Sequence, residues 1–287
     1  MRRFSVIVPI YNRKHTLERC FENLLGQDFP ANQFEIVAIN NNSTDGSERV
    51  AGRYPRITLF QESKQGSYAA RNCGVLHATG EIVAFIDADC IAAPDWLSKI
   101  DLAMRDDSVA MVIGRSRLAG QSRAVRLLGA YEDHKDRYVF SNSNSTKYYG
   151  HTSNMAVRRS SFAAVGPFIE WQRGADSALV QRAAQRFGCH AIRYDPAIVV
   201  THLEVESAAV YFQKTFIYGR ARKLANRRVP VTALTIAERM IIFCEIVRNE
   251  KLSAIDTSLL LALLLLGGTC WYTGNFSANL HRVIDPR

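Results

Sequence analysis

The sequence has no pair of cysteines at the spacing of a metal site or a redox motif. Its six cysteines are scattered along the chain, at Cys20, Cys73, Cys90, Cys189, Cys244 and Cys270. This pattern argues against a disulfide framework and against a zinc site, because both place their cysteines at recognisable intervals. It favours a reducing compartment.

Glycine is missing where a phosphate-binding loop would need it. The first apolar run, Phe4–Pro9, leads into Tyr11-Asn12-Arg13-Lys14-His15. Without glycine, a cradle of backbone amides around a phosphate is hard to build, which argues against a nucleotidyltransferase. The same apolar run is too short for the core of a signal peptide, so we expect a cytoplasmic protein.

What the chain has is enough apolar residues for a sizeable core and an excess of positive charge. Of its 287 residues, 47% are hydrophobic, and the formal net charge is +9. The charge fits an anionic partner, such as nucleic acid, an acidic membrane surface or a phosphorylated substrate. Lysine and arginine are not interleaved with aromatic residues in a recognisable module, so no nucleic acid is expected.

Strand and helix signals alternate from residue 4 to residue 113. The predicted strands are Phe4–Pro9, Phe34–Ile39, Ile57–Phe60, Glu81–Ile86 and Val109–Ile113. The predicted helices are Thr16–Gln27, Ser47–Tyr54, Ser67–Ala78 and Asp95–Met104. Such alternation predicts a largely parallel, doubly wound α/β sheet.

The alternation ends after residue 114. Residues 115 to 150 are predicted to be less regular, and the polar run Ser141–Thr146 is interpreted as a mobile loop. Order is predicted to resume at Gly150–Arg158, with helices at Arg159–Val165 and Ser177–Phe187.

The composition changes again from residue 208 onward, where the chain is predicted to be mostly helical. A basic segment contains Lys214, Arg220, Arg222, Lys223, Arg227 and Arg228. The apolar run Leu259–Leu266 follows, and no charged residue occurs between Asp256 and His281, a length that just spans a bilayer. Because glycine and polar residues dilute the second half, we predict an interfacial anchor on an anionic membrane. A buried core helix or a dimer contact is the alternative.

Two carboxylates separated by one small residue follow a continuous apolar strand. They are Asp87 and Asp89, on either side of Ala88. Ligands of doubly wound sheets bind at such strand ends. Mg²⁺ and Mn²⁺ take one or two carboxylates and complete their shell with substrate phosphates and water, so we predict a divalent metal here. A turn with two solvated aspartates is the alternative.

Four segments, Ser5–Arg13, Asn41–Ser47, Gly66–Gly74 and Ile82–Asp89, occur in this order. Together they resemble inverting glycosyltransferase family 2, and the resemblance runs from about Phe4 to about His202. It implies the GT-A fold, an α/β architecture with a Rossmann-like mixed central sheet flanked by helices. The C-terminal region would be a helical appendage.

The resemblance also implies roles for residues of both halves. The implied nucleotide and donor residues are Pro9, Tyr11, Asn12, Arg13, Asn40, Asn42, Asp45, Arg71, Asp87, Ala88 and Asn154. Arg71 would lie near the diphosphate, which its planar guanidinium can pair with; an exposed helix charge is the alternative. Asn40 stands where the family commonly has aspartate, and its amide can donate as well as accept. Uridine remains the favoured base.

Asp176 is the implied catalytic base, although Ala175 stands where the family has glutamate. A helix N-cap is the alternative use of this aspartate. His202 resembles a C-terminal ligand of the metal or the diphosphate, with a structural histidine as the alternative. The implied metal ligands are thus Asp87, Asp89 and His202, and the implied cofactor is Mn²⁺ or Mg²⁺.

These inferences predict a metal-dependent inverting glycosyltransferase that moves a sugar from a nucleotide-diphosphate donor, with UDP favoured, to a hydroxyl of a glycan, lipid-linked or other acceptor. The predicted domains are a GT-A domain at 1–207, with a nucleotide-binding half at 1–114 and an acceptor half at 115–207, and a helical region at 208–287. A cytoplasmic protein at the membrane face is expected, with oligomers allowed. An inactive nucleotide-binding or membrane-docked scaffold is the alternative.

Overall fold

The computed structural model describes residues 2–170, 173–225 and 232–284, without the side chains of residues 222–225 and 279–284. Its contacts group the chain into two units. Unit 1 contains Met1–Arg117 and Ser143–Leu203, and unit 2 contains Leu118–Asn142 and Glu204–Arg287. Residues 118–142, which the sequence assigned to the acceptor half, thus group with the C-terminal region. The domain limits of 1–207 and 208–287 stay a prediction.

Unit 1 is built on one mixed sheet. Its strands are β1 (Phe4–Ile10), β2 (Phe34–Asn40), β3 (Ile57–Gln61), β4 (Ile82–Phe85), β5 (Cys90–Ala92), β6 (Met111–Leu118), β7 (Met155–Arg158) and β8 (Ile192–His202). The eight strands lie in the order β3-β2-β1-β4-β7-β6-β8-β5. The pairs β1–β2, β1–β4 and β2–β3 are parallel, whereas β4–β7, β6–β7 and β5–β8 are antiparallel. The predicted Rossmann-like mixed sheet is confirmed.

The helices of the described chain are α1 (Lys14–Leu25), α2 (Ser47–Ala51), α3 (Ser67–His77), α4 (Trp96–Ala103), α5 (Arg123–Ser141), α6 (Arg159–Val165), α7 (Ala175–Phe187), α8 (Ala208–Ala225), α9 (Ile236–Asn249) and α10 (Ala254–Ile284). Most predicted helices of unit 1 lie within a few residues of these bounds. One difference matters for the site. Helix α7 begins at Ala175 rather than Ser177, which places Asp176 inside its first turn.

The apolar faces of the predicted helices cover the sheet. In α1 the buried residues include Leu17, Phe21 and Leu24, which recur at helical spacing. Helix α3 packs against β1 and β2, and it does so at a glycine. A Cβ on Gly74 would collide with the side chain of Ile7, so only glycine lets the helix lie this close.

Unit 2 is helical. Its core contains Leu127, Leu128 and Tyr131 of α5 together with Ile242 and Ile246 of α9 and Leu260 of α10. Helices α8 and α10 approach closely, since a Cβ on Gly274 would collide with the backbone of Phe216. The sequence did not predict α5, whose first turn is capped by the Ser122 side chain accepting from the Val125 N–H at 3.3 Å.

Helix α10 carries the apolar run. In the described part of the chain, Ala254–Ala278 is the one helical stretch long and apolar enough to cross a membrane, with a mean hydropathy of 1.7. Large apolar side chains are exposed along it, among them Leu265 (65%) and Phe276 (64%). The assignment of Ala254–Ala278 as a possible membrane span rests on the length and composition of the helix only. The predicted basic residues Arg227 and Arg228 lie outside the described residues.

Candidate active site

The two aspartates of the Asp-Ala-Asp turn connect β4 to β5 and differ in exposure. The side chain of Asp89 is 4% exposed, whereas that of Asp87 is 29% exposed. The turn is held by the Cys90 N–H, which donates to the Asp87 carbonyl at 3.0 Å. Ala88 is buried, and its carbonyl accepts from Thr16 Oγ1 at 2.9 Å. The alternative from the sequence, a turn with two freely solvated aspartates, is therefore not observed.

A cluster of three different ligand types lies at the start of β5. In the antiparallel pair of β5 and β8, Cys90 lies opposite His202. Ligand atoms of Asp89, Cys90 and His202 all lie within 4.8 Å of one another. The Nδ1 atom of His202 is buried and has no hydrogen-bond partner among the described residues. An orphaned imidazole nitrogen beside a carboxylate fits a divalent metal.

The structure thus brings together two of the three predicted metal ligands, Asp89 and His202. Asp87 is not in this cluster, because its carboxylate pairs with Arg71. Cys90 was missed by the sequence reasoning; the only signal was its position directly after Asp89. Arg13 also reaches the site, with its guanidinium 3.4 Å from the Asp89 carboxylate. At that distance the cation favours the charged form of the buried acid.

Arg71 is a buried cation, not an exposed helix charge. It is 4% exposed on α3, and its Nη2 donates to Asp87 Oδ1. Its Nη1 donates to the Ser67 carbonyl at 3.1 Å. Its Nε is buried and has no partner within the described chain. A buried guanidinium with an unused N–H beside a strand end suits an anionic ligand.

The loops after β1 and β2 are tied together. Asn12 and Asn42 adopt positive φ values of 52° and 62°, a conformation that asparagine tolerates better than most residues. Asn12 Oδ1 accepts from the Thr44 N–H at 2.8 Å, and Asp45 accepts from the Lys14 N–H at 2.9 Å. Between the loops, Tyr11 is 52% exposed and open to a ligand. Pro9 of β1 lies opposite Ile39 of β2, one residue before the end of its strand.

Asn40 lies at the end of β2 with its amide engaged inside the protein. It is 2% exposed, its Nδ2 donates to Gln61 Oε1 at 2.9 Å, and its Oδ1 accepts from the Ser43 N–H at 3.2 Å. The residue therefore shapes the loop after β2. A direct contact of Asn40 with the base stays a prediction, and it would compete with these bonds.

Asn154 is similarly engaged in the core. It is 1% exposed, its Nδ2 donates to the carbonyls of Arg115 and Ile198 at 2.9 and 3.0 Å, and its Oδ1 accepts from Trp96 Nε1 at 2.9 Å. The amide joins β7 to its neighbours. Its predicted contact with donor sugar or acceptor stays a prediction that these bonds do not favour.

Asp176 lies in the first turn of α7, and it is not the N-cap. The cap position is Gly174, whose φ of 90° suits glycine. The Asp176 carboxylate accepts from the Ser177 N–H at 2.8 Å. Burial raises the pKa of this carboxyl; a hydrogen bond from Ser177, the charges of His151 and Arg71 and a hydrogen bond from Tyr68 oppose the rise. A carboxylate whose pKa is raised is suited to accept a proton.

A mixed sheet that ends in paired carboxylates, beside a buried arginine and a separate carboxylate of raised pKa, places the protein among the glycosyltransferases of the GT-A class. The chain belongs to glycosyl transferase family 2, since the sequence profile of that family matches residues 5–166, more than half of the chain.

Individual relatives agree with this assignment. The glycosyltransferase AglE of Haloferax volcanii is 28% identical over 207 residues, which cover 66% of this chain and 67% of AglE. The poly(ribitol-phosphate) beta-N-acetylglucosaminyltransferase TarS of Staphylococcus aureus is 33% identical over 104 residues, 34% of this chain. That match spans only 17% of TarS, so the activity of the whole TarS protein is not assigned to this chain.

Solved structures share the fold. The mannosyltransferase PcManGT from Pyrobaculum calidifontis, in complex with GDP-Man and Mn²⁺, superposes with a TM-score of 0.58 at 21% identity, over 100% of this chain and 82% of that one. A TarS fragment in complex with UDP-GlcNAc gives a TM-score of 0.58 at 17% identity, over 91% of this chain and 79% of the fragment. At these identities the likeness shows the fold alone.

Proposed function

We propose that this protein is a metal-dependent, inverting glycosyltransferase that moves a sugar from a nucleotide-diphosphate sugar to a hydroxyl group of its acceptor. The proposal rests first on Arg71. A buried guanidinium that pairs with Asp87 and keeps an unused Nε–H is costly to maintain unless an anion completes its hydrogen bonds. The diphosphate of the donor is an anion of the right chemistry.

The metal would be held by Asp89 and His202, with donor phosphates completing its shell. Imidazole is a ligand of transition metals more than of Mg²⁺, so the His202 nitrogen favours Mn²⁺. When bound, the metal would neutralise charge on the departing diphosphate. Asp87 would hold Arg71 in place and accept a hydrogen bond from the ribose, with Ala88 setting the spacing of the two carboxylates.

Asp176 would act as the general base that takes the proton of the acceptor hydroxyl. Its raised pKa and its position near Arg71 support this role. The hydroxyl would attack the anomeric carbon of the sugar in one displacement, while Arg71 stabilises the charge that develops on the leaving diphosphate. One displacement inverts the configuration, so an α-linked donor yields a β-linked product.

The nucleoside would lie against the loops after β1 and β2, where Tyr11 is exposed and Asn12, Asn42 and Asp45 fix the backbone. UDP is our first choice of nucleotide. The UDP-GlcNAc complex of TarS supports it, whereas the GDP-Man complex of PcManGT makes guanosine the second candidate.

The proposal is tested by thermal stabilisation with UDP, GDP, dTDP and CDP, each with and without Mn²⁺. A ligand at about 100 times its dissociation constant adds about 2.7 kcal/mol to stability. We expect one nucleotide to stabilise the protein in a Mn²⁺-dependent manner, and Asp89→Ala to abolish the effect. Asp107→Asn, at a side chain that is 99% exposed, is the matched control. No stabilisation by any nucleotide would support the inactive scaffold instead.

We further propose that unit 2 associates with the cytoplasmic face of an anionic membrane, where it would meet a lipid-linked or other glycan acceptor. The exposed apolar side chains of α10, together with Lys214 and Arg220 of α8, support this part of the proposal. Whether α10 lies on the membrane or spans it is decided by protease accessibility of the residues after α10 in sealed vesicles.

A further inference from the structure

Tyr68 is a buried residue of α3 that reaches the first turn of α7. It is 6% exposed, and its ring stacks on Phe168 with the centroids 5.5 Å apart. The Arg71 guanidinium carbon lies 5.6 Å from the centroid of the same ring. The phenol is therefore fixed in place by its neighbours, and its oxygen points to the start of α7.

The hydrogen bonds of the phenol define its orientation. The N–H of Gly174, the N-cap residue of α7, donates to Tyr68 Oη at 3.2 Å. A tyrosine hydroxyl has only one proton to donate. Because the Gly174 N–H occupies one side of the oxygen, the proton of Tyr68 is available to the Asp176 carboxylate two residues further along α7, whose pKa the phenol lowers.

We propose that Tyr68 is a positioning residue for Asp176: it holds the carboxylate in one orientation at the start of α7 and favours its ionised form. The inference rests on the proposed function, in which Asp176 is the general base. A hydroxyl that donates to an ionised carboxylate stabilises the charged form, and it offsets the cost of burying the base beside a substrate. Tyr68 also links the base to the donor side of the site, because Arg71 contacts both its ring and Asp87.

Other charged groups also face Asp176, and their effects on its pKa have to be distinguished from the effect of Tyr68. His151, in the segment before β7, and Arg71, on α3, both favour the ionised carboxylate by their charge. Gly150 packs against the Asp176 backbone, and a Cβ there would lie 2.8 Å from its carbonyl carbon. Histidine as a residue type changes charge near neutral pH whereas arginine does not, so the measurements are repeated in a His151→Gln background.

The test is a ¹³C NMR titration of the full chain labelled at aspartate carboxyl carbons, in which the Asp176 resonance is assigned by its loss in Asp176→Asn. Without the phenol proton the ionised carboxylate is less stable, so Tyr68→Phe raises the midpoint of Asp176 by about one pH unit. The matched control is Tyr211→Phe, which removes a phenol that donates to Glu132 at 2.6 Å in unit 2. We expect that control to leave the Asp176 midpoint unchanged.

An unchanged Asp176 midpoint in Tyr68→Phe, in both backgrounds, overturns the inference. If Tyr68→Phe does not fold, the wild-type protein labelled at tyrosine Cζ decides the question. As the pH is varied, we expect the Tyr68 resonance to shift with the same midpoint as the Asp176 carboxyl resonance. A Tyr68 resonance that does not share this midpoint likewise overturns the inference. The proposed function fails on a separate result, which is full turnover in Asp176→Asn, so the two failures are distinguishable.

Discussion

Cys90 and His202 lie directly opposite each other in the antiparallel pair of β5 and β8. This register carries the imidazole to the Asp89 carboxylate, from which Cys90 Sγ is 3.7 Å away. Burial raises the pKa of the Cys90 thiol well above its usual range, and the nearby charges of Asp87 and Asp89 act in the same direction. Mn²⁺ prefers oxygen and nitrogen ligands to sulfur, so the proposed Mn²⁺ ligands are Asp89 and His202 rather than Cys90.

We expect His202→Ala to weaken Mn²⁺ binding at least about tenfold, since loss of even an indirect partner of a metal ligand costs that much. The measurement is the Mn²⁺ concentration that gives half of the nucleotide-dependent thermal stabilisation. His190→Ala removes an exposed histidine as a control. An unchanged Mn²⁺ requirement in His202→Ala would exclude the histidine from the metal shell.

Arg71→Lys keeps the positive charge but loses the planar fork. We expect the affinity for UDP with Mn²⁺ to fall roughly tenfold, because a hydrogen bond to a charged group contributes about 1.5–3 kcal/mol and a tenfold change corresponds to about 1.4 kcal/mol. Isothermal titration calorimetry measures the change. Arg19→Lys, at an exposed position of α1, is the matched control. If Arg71→Lys binds UDP with Mn²⁺ as tightly as Arg19→Lys does, Arg71 is not part of the diphosphate site.

The sequence predicted the first half of unit 1 well, because periodicity reports burial. Leu17, Phe21 and Leu24 form the buried stripe of α1 that their spacing indicates. It did not predict α5, since that helix carries Asp133, His134 and Asp136 on buried positions. These polar residues interrupt the apolar stripe that Leu127, Leu128 and Tyr131 begin, so the helical pattern is not continuous along α5.

The candidate site was predictable in part. Asp87 and Asp89 follow a strand, and Arg71 lies on α3 within one of the segments that resemble the family, so the sequence indicates all three. Tyr68 and Cys90, in contrast, acquire their neighbours only through the tertiary fold. Tyr68 meets Gly174 across 106 residues of chain, and Cys90 meets His202 only because β8 returns antiparallel to β5. Local pattern contains no information on such pairings.

Asp176→Asn should lower turnover by about 10² to 10⁴, the usual contribution of a general base, with little change in donor affinity. The base works in its ionised form, so turnover in the wild-type protein falls as the pH drops through the pKa of Asp176. Because burial raises that pKa, the acid limb lies above the range of an ordinary aspartate. The pH profile of UDP release from UDP-sugars measures it. If the acid limb of the pH profile persists in Asp176→Asn, it reports the titration of a group other than Asp176.

The exposed apolar face of α10 can be tested by substitution. Leu265 is 65% exposed there, and burying its side chain in a bilayer interface removes apolar surface from water. Leu265→Glu places a negative charge on that face, which an anionic membrane repels.

We therefore expect Leu265→Glu to reduce co-sedimentation with vesicles of phosphatidylglycerol and phosphatidylcholine by about tenfold, a change of about 1.4 kcal/mol. Leu76→Glu is the matched control, because Leu76 is an 85% exposed leucine of α3 in unit 1. Pure phosphatidylcholine vesicles separate the apolar contribution from the electrostatic one, since only the latter depends on anionic lipid and weakens with salt. If Leu265→Glu and Leu76→Glu both bind the vesicles as the wild-type protein does, the face of α10 around Leu265 is not in contact with the membrane. A second copy of the chain then becomes the better candidate to cover this face.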